Sequence, residues 1–270
     1  MSDLQKEGIL ARLNTHTFGH PLTVVAETVS TNTDLRRMAA AGAPEGATLV
    51  AAAQTGGRGR RGRSFFSPTG GVYLSTLLRP AAHTRPELVT SCAAVAVARA
   101  IERLCPVEVG IKWVNDLYIR RRKVCGILAE ADFTPEGQID HIVLGVGINV
   151  APVELPPELK AIATSLGNEG DVPSREALIA ALLEEWEMAY ATMDSGAFLA
   201  ESRRRSVVLG QEVTVLQGVE SFPATALAIT EDGHLLVRTA TEERLLKAGE
   251  VSLRVKSTDG VGFTDDRQGA

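Results

Sequence analysis

Residues Gln54 to Pro68 read QTGGRGRRGRSFFSP, with Arg58, Arg60, Arg61 and Arg63 set among Gly56, Gly57, Gly59 and Gly62. Glycine at this density opens backbone conformations closed to other residues, so the stretch is a loop. Arginine carries a rigid planar fork of donors suited to phosphate and carboxylate. Several of them on a glycine-rich loop can gather around a polyanion with backbone amides turned inward. The glycine spacing matches neither G-x-x-x-x-G-K-S/T nor a G-x-G-x-x-G placed after a strand. Taken alone, the stretch therefore reads as well as a basic loop in solvent or on nucleic acid as it does as a nucleotide site.

Its neighbours give the loop a setting. Thr48 to Ala53 is an apolar strand that enters it and Val72 to Leu78 a second that leaves it, so the loop hangs between two core strands. Upstream, Leu22 to Ala26 reads as a strand running into the polar cluster Glu27 to Asn32. There Ser30, Thr31 or Asn32 can either cap the helix carrying Leu35 and Met38 or face a ligand. Residues 1–20 offer at most a short helix through Leu10 and Leu13, too little for a helix-turn-helix.

Downstream, Val89, Ala93, Ala96, Val97, Ala100, Ile101 and Leu104 mark the buried face of a helix over Glu87 to Leu104. A strand is expected over Val107 to Trp113, then Leu117 to Ile119, a basic turn at Arg120 to Arg122, and a strand from Lys123 to Glu130. The turn Pro135-Glu136-Gly137 leads into a long strand, Ile139 to Val150, whose Gly145 and Gly147 suggest close approach of a ligand or another backbone. Ser174 can cap a helix to Met193 with Ile179, Leu182, Leu183, Trp186 and Tyr190 on its apolar face. After Arg203-Arg204-Arg205 the pattern becomes short alternating segments separated by Gln217-Gly218, Asp232-Gly233 and Ala248-Gly249, the signature of a small antiparallel barrel. The expected division is an N-terminal segment 1–20, a main domain 21–205, a barrel 206–256 and a polar, disordered tail 257–270.

Composition narrows the function. A hydrophobic fraction of 44% with 23% charged residues is that of a soluble globular protein. A net charge of −5 disfavours a general nucleic-acid or membrane-surface binder, which makes the arginine loop a local feature on an acidic background. Cys92, Cys105 and Cys125 form neither a disulfide framework nor a zinc motif, which suggests a reducing, cytoplasmic compartment. No signal peptide or membrane-spanning stretch is read. His16, His20, His83, His141 and His234 make no metal motif, and no Ser-His-Asp or Cys-His arrangement stands out.

Two clusters carry further chemistry. Lys112-Trp113-Val114-Asn115-Asp116 sets a cation, an amide and a carboxylate at a strand end, and Lys123 opens the next strand of the hairpin. A lysine there suits a substrate carboxylate and charge building up on phosphorus, while Asn115 and Asp116 suit a magnesium ion or an attacking amine. A plain salt bridge across the hairpin would use the same residues.

Together these stretches resemble the biotin protein ligase family: Ser30-Thr31-Asn32, G-R-G-R-R-G-R at 57–63 with F-S-P at 66–68, K-W-V-N-D at 112–116, R-K-V-C-G-I-L-A-E at 122–130, G-V-G-I-N at 145–149 and G-E-V-S-L-R at 249–254. The resemblance implies an α+β fold, a mixed sheet flanked by helices like the core of class II tRNA synthetases, followed by an SH3-like barrel. It implies biotin and Mg-ATP as substrates, biotinyl-adenylate as intermediate, and a lysine of a biotin carboxyl carrier domain as acceptor. In that frame Ser30, Thr31, Asn32, Gln54, Gly57, Gly59, Gly126 and Gly145 form the biotin pocket. Arg58 and Arg60 close over biotin and adenylate, Arg61 and Arg63 lie nearer the phosphates, and Lys123 contacts the reacting carboxylate. Lys112, Asn115, Asp116 and Asn149 complete the nucleotide side, with magnesium held mainly by the phosphates of ATP. The chain departs from the family where Phe65 replaces a tryptophan that packs on adenine and where Val114 replaces a proline.

The resemblance is to the form lacking a DNA-binding domain, so no sequence-specific DNA binding is expected, and a homodimer is left open. A lipoate or octanoate protein ligase of similar fold is the alternative enzyme. A non-catalytic RNA binder, extending its basic surface through Arg120 to Arg122 and Arg203 to Arg205, is the alternative of another class. Ordering four like charges on a glycine-rich backbone is costly. The loop is therefore expected to close only when a ligand phosphate gathers its arginines.

Overall fold

A computed structural model of the chain describes residues 4–253 apart from 82, 83, 153, 171, 218, 248 and 249. Helix α1 (Lys6–Leu10) precedes strand β1 (Leu22–Thr28), helix α2 (Thr31–Ala40), and strands β2 (Thr48–Gln54) and β3 (Val72–Leu78). Helix α3 (Val89–Leu104) then leads to β4 (Gly110–Lys112), β5 (Asp116–Ile119), β6 (Arg122–Phe133) and β7 (Ile139–Ile148). Helices α4 (Leu166–Glu169), α5 (Arg175–Ala191) and α6 (Phe198–Arg205) follow. The first seven strands form one sheet in the order β1-β2-β3-β7-β6-β5-β4, parallel only between β1 and β2, hence mixed.

Strand periodicity divides this sheet into two faces with separate cores. Val50, Leu74, Leu78, Ile142, Leu144 and Val146 pack with α3 and α5 in the larger one. Their neighbours Leu49, Leu77 and Val143 pack with Leu35 and Ala39 of α2 in the smaller. The α2 face is covered only in part, and the functional residues gather on its remainder.

Strands β8 (Glu212–Gln217), β9 (Glu220–Ile229), β10 (Leu235–Arg238), β11 (Glu243–Leu246) and β12 (Glu250–Leu253) make the expected small antiparallel unit, ordered β11-β10-β9-β8-β12. Its apolar residues Val213, Val215, Leu235 and Val237 join the larger core. Trp113 Nε1 donates to Gly233 O at 2.9 Å, and Arg203 Nε to Ile229 O at 2.8 Å, fastening the small sheet to the large one. Gly233 sits at φ 72°, as the turn between β9 and β10 requires. Gly218, Ala248, Gly249, Val255 and the tail 257–270 lie outside the described residues.

Several expectations are corrected. The strand over Val107 to Trp113 shrinks to Gly110–Lys112, because it lies at the sheet edge, where its neighbouring strand β5 is four residues long and its other side meets only a single bridge from Ile111 to Ser206. Helix α6 was unanticipated; Phe198 and Leu199 bury its apolar side, while its run of arginines reads as linker. Helix α5 ends at Ala191, and Met193 belongs to a separate turn closed by Gly196 at φ 71°. Helix α2 begins after Ser30, whose hydroxyl makes no capping bond, and Thr31 and Asn32 sit inside the first turn.

The segment before β1 is anchored on α5 by apolar contact and by carboxylates. Phe18 stacks on Trp186 with ring centroids 5.9 Å apart. Glu187 accepts from the backbone N–H groups of His16, Thr17 and Phe18 at 2.8, 2.7 and 2.8 Å. Burial raises the Glu187 pKa, but these N–H groups lower it by more, leaving it below the usual carboxylate value. A carboxylate depressed in the folded state contributes stability above its unfolded pKa and loses it as pH falls through the folded value. Glu187→Gln should therefore cost about 1–3 kcal/mol at neutral pH. Thermal unfolding of the two proteins should converge in acid, and an equal gap at both pH values would disprove the anchoring role.

Candidate functional site

On the α2 face the central antiparallel pair carries glycine at three neighbouring positions. Gly126 pairs with Gly147, and Leu128 with Gly145. A Cβ at Gly145 would stand 2.2 Å from Asn32 Oδ1, and one at Gly147 would stand 2.5 Å from Phe65 Cε1. The missing side chains thus let α2 approach from one side and the Phe65 ring from the other. A small cavity of about 50 Å³ remains, bordered by Thr31, Asn32, Gln54, Arg58, Arg60 and Lys123 among others.

Lys123 reaches this face through a β-bulge. The pairing passes from Leu117 with Cys125 to Tyr118 with Lys123, so Val124 is skipped, and Val124 and Cys125 both turn into the core. Regular alternation would put Lys123 on the opposite face from Gly126. The bulge instead brings its Nζ to 2.8 Å from Asp116 Oδ1 and 5.7 Å from the centre of the Phe65 ring. Burial pushes the Cys125 thiol well above its usual pKa, consistent with a core residue.

A hydrogen-bonded chain borders the cavity. Gln54 Oε1 accepts from the backbone N–H and the hydroxyl of Thr31 at 2.9 and 3.1 Å, while its Nε2 donates to Ser67 Oγ at 3.0 Å. The fully buried Ser75 Oγ lies 2.8 Å from Thr31 Oγ1 and 2.6 Å from Asn32 Oδ1. Asn32 Nδ2 in turn donates to Glu130 Oε2 at 2.8 Å and to Leu128 O at 3.3 Å. A carboxylate and a carbonyl only accept, so they fix which end of the Asn32 amide faces Ser75.

The arginine loop lies over the cavity as a self-bonded turn, with Gly59 N donating to Arg63 O at 2.7 Å and Phe65 N to Gly57 O at 2.8 Å. Arg58 Nη2 contacts both oxygens of Glu130 at 2.8 and 2.5 Å. Arg60 Nη1 donates to Asn115 Oδ1 at 3.0 Å, and Arg61 Nη1 to Leu216 O of the small sheet at 3.2 Å. These are internal acceptors that the sequence reading did not weigh.

The structure brings together Ser30, Thr31, Asn32, Gln54, Arg58, Gly59, Arg60, Phe65, Asn115, Lys123, Gly126 and Gly145 around the cavity. Gly57 backs the loop, where a Cβ would meet Phe65 O at 2.4 Å. Other residues read from the sequence stand apart. Lys112 is register partner of Asp116 and so shares its face, but it is buried with Nζ 3.3 Å from the Tyr118 hydroxyl. Asn149 Nδ2 donates to Thr164 O at 2.9 Å and holds the segment that pairs with Lys123. Arg61 and Arg63 do not border the cavity. Phe65 packs on glycines of the sheet, so in this arrangement its ring is a wall of the cavity. The sequence reading gives no site role to Glu130 or Ser75; Glu130 lies within a recognised motif, whereas Ser75 is an ordinary polar residue inside an apolar strand.

Comparison with known proteins places these features in context. Residues 24–149 match the model of the biotin/lipoate A/B protein ligase family and 208–254 that of the biotin protein ligase C terminal domain. The chain is similar to the bifunctional ligase/repressor BirA of Bacillus subtilis (strain 168), 34% identical over 93% of this chain and 79% of the relative. It is also similar to the biotin–acetyl-CoA-carboxylase ligase of Mycobacterium tuberculosis, 34% identical over 85% of this chain and 88% of the relative. Among solved structures, the Aquifex aeolicus biotin protein ligase in complex with biotin and ATP superposes with a TM-score of 0.74 at 30% identity, covering 86% of this chain and 98% of that one.

The close approach at Gly145 is directly testable. Asn32 is short and bonded on three sides, so it cannot yield to a new methyl group, and Gly145→Ala should destabilise the protein by about 1–3 kcal/mol. Adding Asn32→Ala should recover part of that loss in urea unfolding; strictly additive losses would mean that the two residues do not meet.

Proposed function

The chain belongs to the biotin protein ligase family, and on that premise we propose that it activates biotin with ATP and transfers it to a lysine of a biotin carboxyl carrier domain. In the first step a biotin carboxylate oxygen attacks the α-phosphorus of ATP, and the bond to pyrophosphate breaks, leaving biotinyl-adenylate. In the second, the carrier lysine, having lost a proton, attacks the acyl carbon of the mixed anhydride and AMP departs. The observation that carries this reading is the convergence of Lys123 and two loop arginines, Arg58 and Arg60, on a cavity bordered by the Gln54–Thr31–Asn32 chain.

Roles follow from chemistry. Ser30, Thr31, Asn32 and Gln54 offer donors and acceptors suited to the ureido group, over the floor cleared by Gly126, Gly145 and Gly147. The Lys123 ammonium, held by Asp116, neutralises the biotin carboxylate and the charge that grows on phosphorus. Arg58 and Arg60 screen the anhydride from water. Lys112, Asn115, Asp116 and Asn149 are assigned to the nucleotide side, with Arg61 and Arg63 toward its phosphates; of these, Asn115 borders the cavity. Magnesium enters as part of the nucleotide substrate. As a carboxylate, Asp116 is suited by its chemistry to a supporting contact to it, beside the Lys123 and Asn115 contacts that one of its oxygens makes.

We also divide the chain after Arg205, where α6 ends and the strands of the small unit begin, and assign the protein to the reducing cytoplasm from its three free, buried cysteines. Among the described residues no helix is long and apolar enough to cross a membrane. An RNA-binding reading has little support from the basic runs. Arg205 binds Glu102 and Glu201, Arg203 binds Glu231, and Arg122 binds the buried Glu169.

Biotin should drive exchange of labelled pyrophosphate into ATP, with lipoate and octanoate inactive. Exchange driven by those acids and not by biotin would transfer the protein to the lipoate branch. Lys123→Ala should slow adenylate formation roughly a hundred- to a thousandfold. An unchanged single-turnover rate would remove Lys123 from the chemistry.

A further inference from the structure

Glu130 is the point at which the loop and the pocket meet. Its side chain, 22% exposed on β6, accepts from Arg58 of the loop and from Asn32 of the pocket at once. Two residues on, Asp132 binds Arg36, and Arg36 lies one helical turn beyond Asn32 on α2. These carboxylates on one face of β6 therefore take residues i and i+4 of α2. Of the two, only Glu130 also reaches the arginine loop. Nearby, Arg60 of the loop donates to Asn115 Oδ1 at 3.0 Å.

A carboxylate in contact with Arg58 offers what the reaction's ligands also offer: an oxyanion for a guanidinium. We propose that Glu130 is the resident counter-anion of Arg58 in the arginine loop. In the unliganded site it takes the place on Arg58 that an anionic group of the bound acid or adenylate takes later, and this exchange frees the loop to close on substrate. Through Asn32 Nδ2 the same carboxylate fixes the direction of the amide that faces Ser75 and the pocket. Glu130 is thus a positioning residue that links the state of the loop to the polarity of the site. Its assignment to the ligand rests on the biotin ligase reading above, whereas its hold on the empty loop does not.

Trypsin cleaves after arginine and reports loop order without any ligand. In the full chain, Glu130→Gln keeps an acceptor for Asn32 but removes the charge on Arg58. Cleavage between Arg58 and Arg63 should then rise about fivefold, the factor expected for loss of a partly exposed ion pair. Arg58→Gln breaks the pair from its more exposed side and keeps the proposal testable if Glu130→Gln folds poorly. It should accelerate cleavage after Arg60 to Arg63 to the same extent, and the double variant should be no faster than either single. Cleavage at the wild-type rate in both variants, or multiplicative effects in the double, would overturn the proposal.

With saturating biotin and Mg-ATP, wild type and Glu130→Gln should be protected to the same low rate, because the ligand now supplies the anion. Protection of wild type alone would make Glu130 a permanent anchor and refute the exchange. If wild type gains no protection from biotin and Mg-ATP, the biotin reading fails instead, and the ligand-free comparison still decides the hold on Arg58.

Discussion

The site depends on a patch of sheet with no side chains. Where Gly126, Gly145 and Gly147 meet on β6 and β7, the first turn of α2 and the ring of Phe65 descend onto bare backbone, and an added Cβ would stand 2.2 Å from Asn32 at Gly145 and 2.5 Å from Phe65 at Gly147. Glycine inside a strand sacrifices packing and chain entropy. The loss is tolerable here because this antiparallel pair lies mid-sheet, bonded on both sides by β3 and β5 and backed by the α3–α5 core. The rigid scaffold thereby creates a recess whose polar border comes from residues that would otherwise have no room.

The electrostatics of that recess are locally balanced in an acidic protein. Arg58 faces Glu130 and Lys123 faces Asp116, so two of the cations that could meet substrate already have a carboxylate. Buried or half-buried charges need such partners, and the loop's like charges would otherwise repel one another. An incoming anion therefore exchanges one partner for another. Lys123 depends on a further device, the bulge at Val124, which turns two successive apolar residues inward so that the lysine emerges on the polar face.

The small sheet contributes through position. Its apolar strands continue the main core, and Trp113, at the end of β4, spans the junction with its indole N–H on Gly233. Arg61 carries the arginine loop across to Leu216 of β8. The segment beside the Asn115–Asp116 pair and the loop above the cavity are thus both braced against this sheet, which places it within reach of the reaction without lending a side chain to the cavity.

Local patterns in the chain determined the strands that bracket the arginine loop, the glycine-marked strand read over 139–150 and ending at Ile148, the apolar faces of α3 and α5, and the family resemblance that ties them together. These are properties of alternation, spacing and residue type, which act over a few neighbours. Tertiary structure alone decided that Glu130 meets Asn32 and Arg58, 98 and 72 residues away in the chain, and that Ser75 completes the border. It also decided that Phe65 lies on the sheet, that Asn149 serves a backbone carbonyl, and that Lys112 turns to Tyr118. A hydrogen bond needs its two atoms within about 3 Å and aligned. Periodicity can state which face a side chain occupies, but only the packed arrangement of distant segments, shifted by a single bulge, settles which atoms meet there.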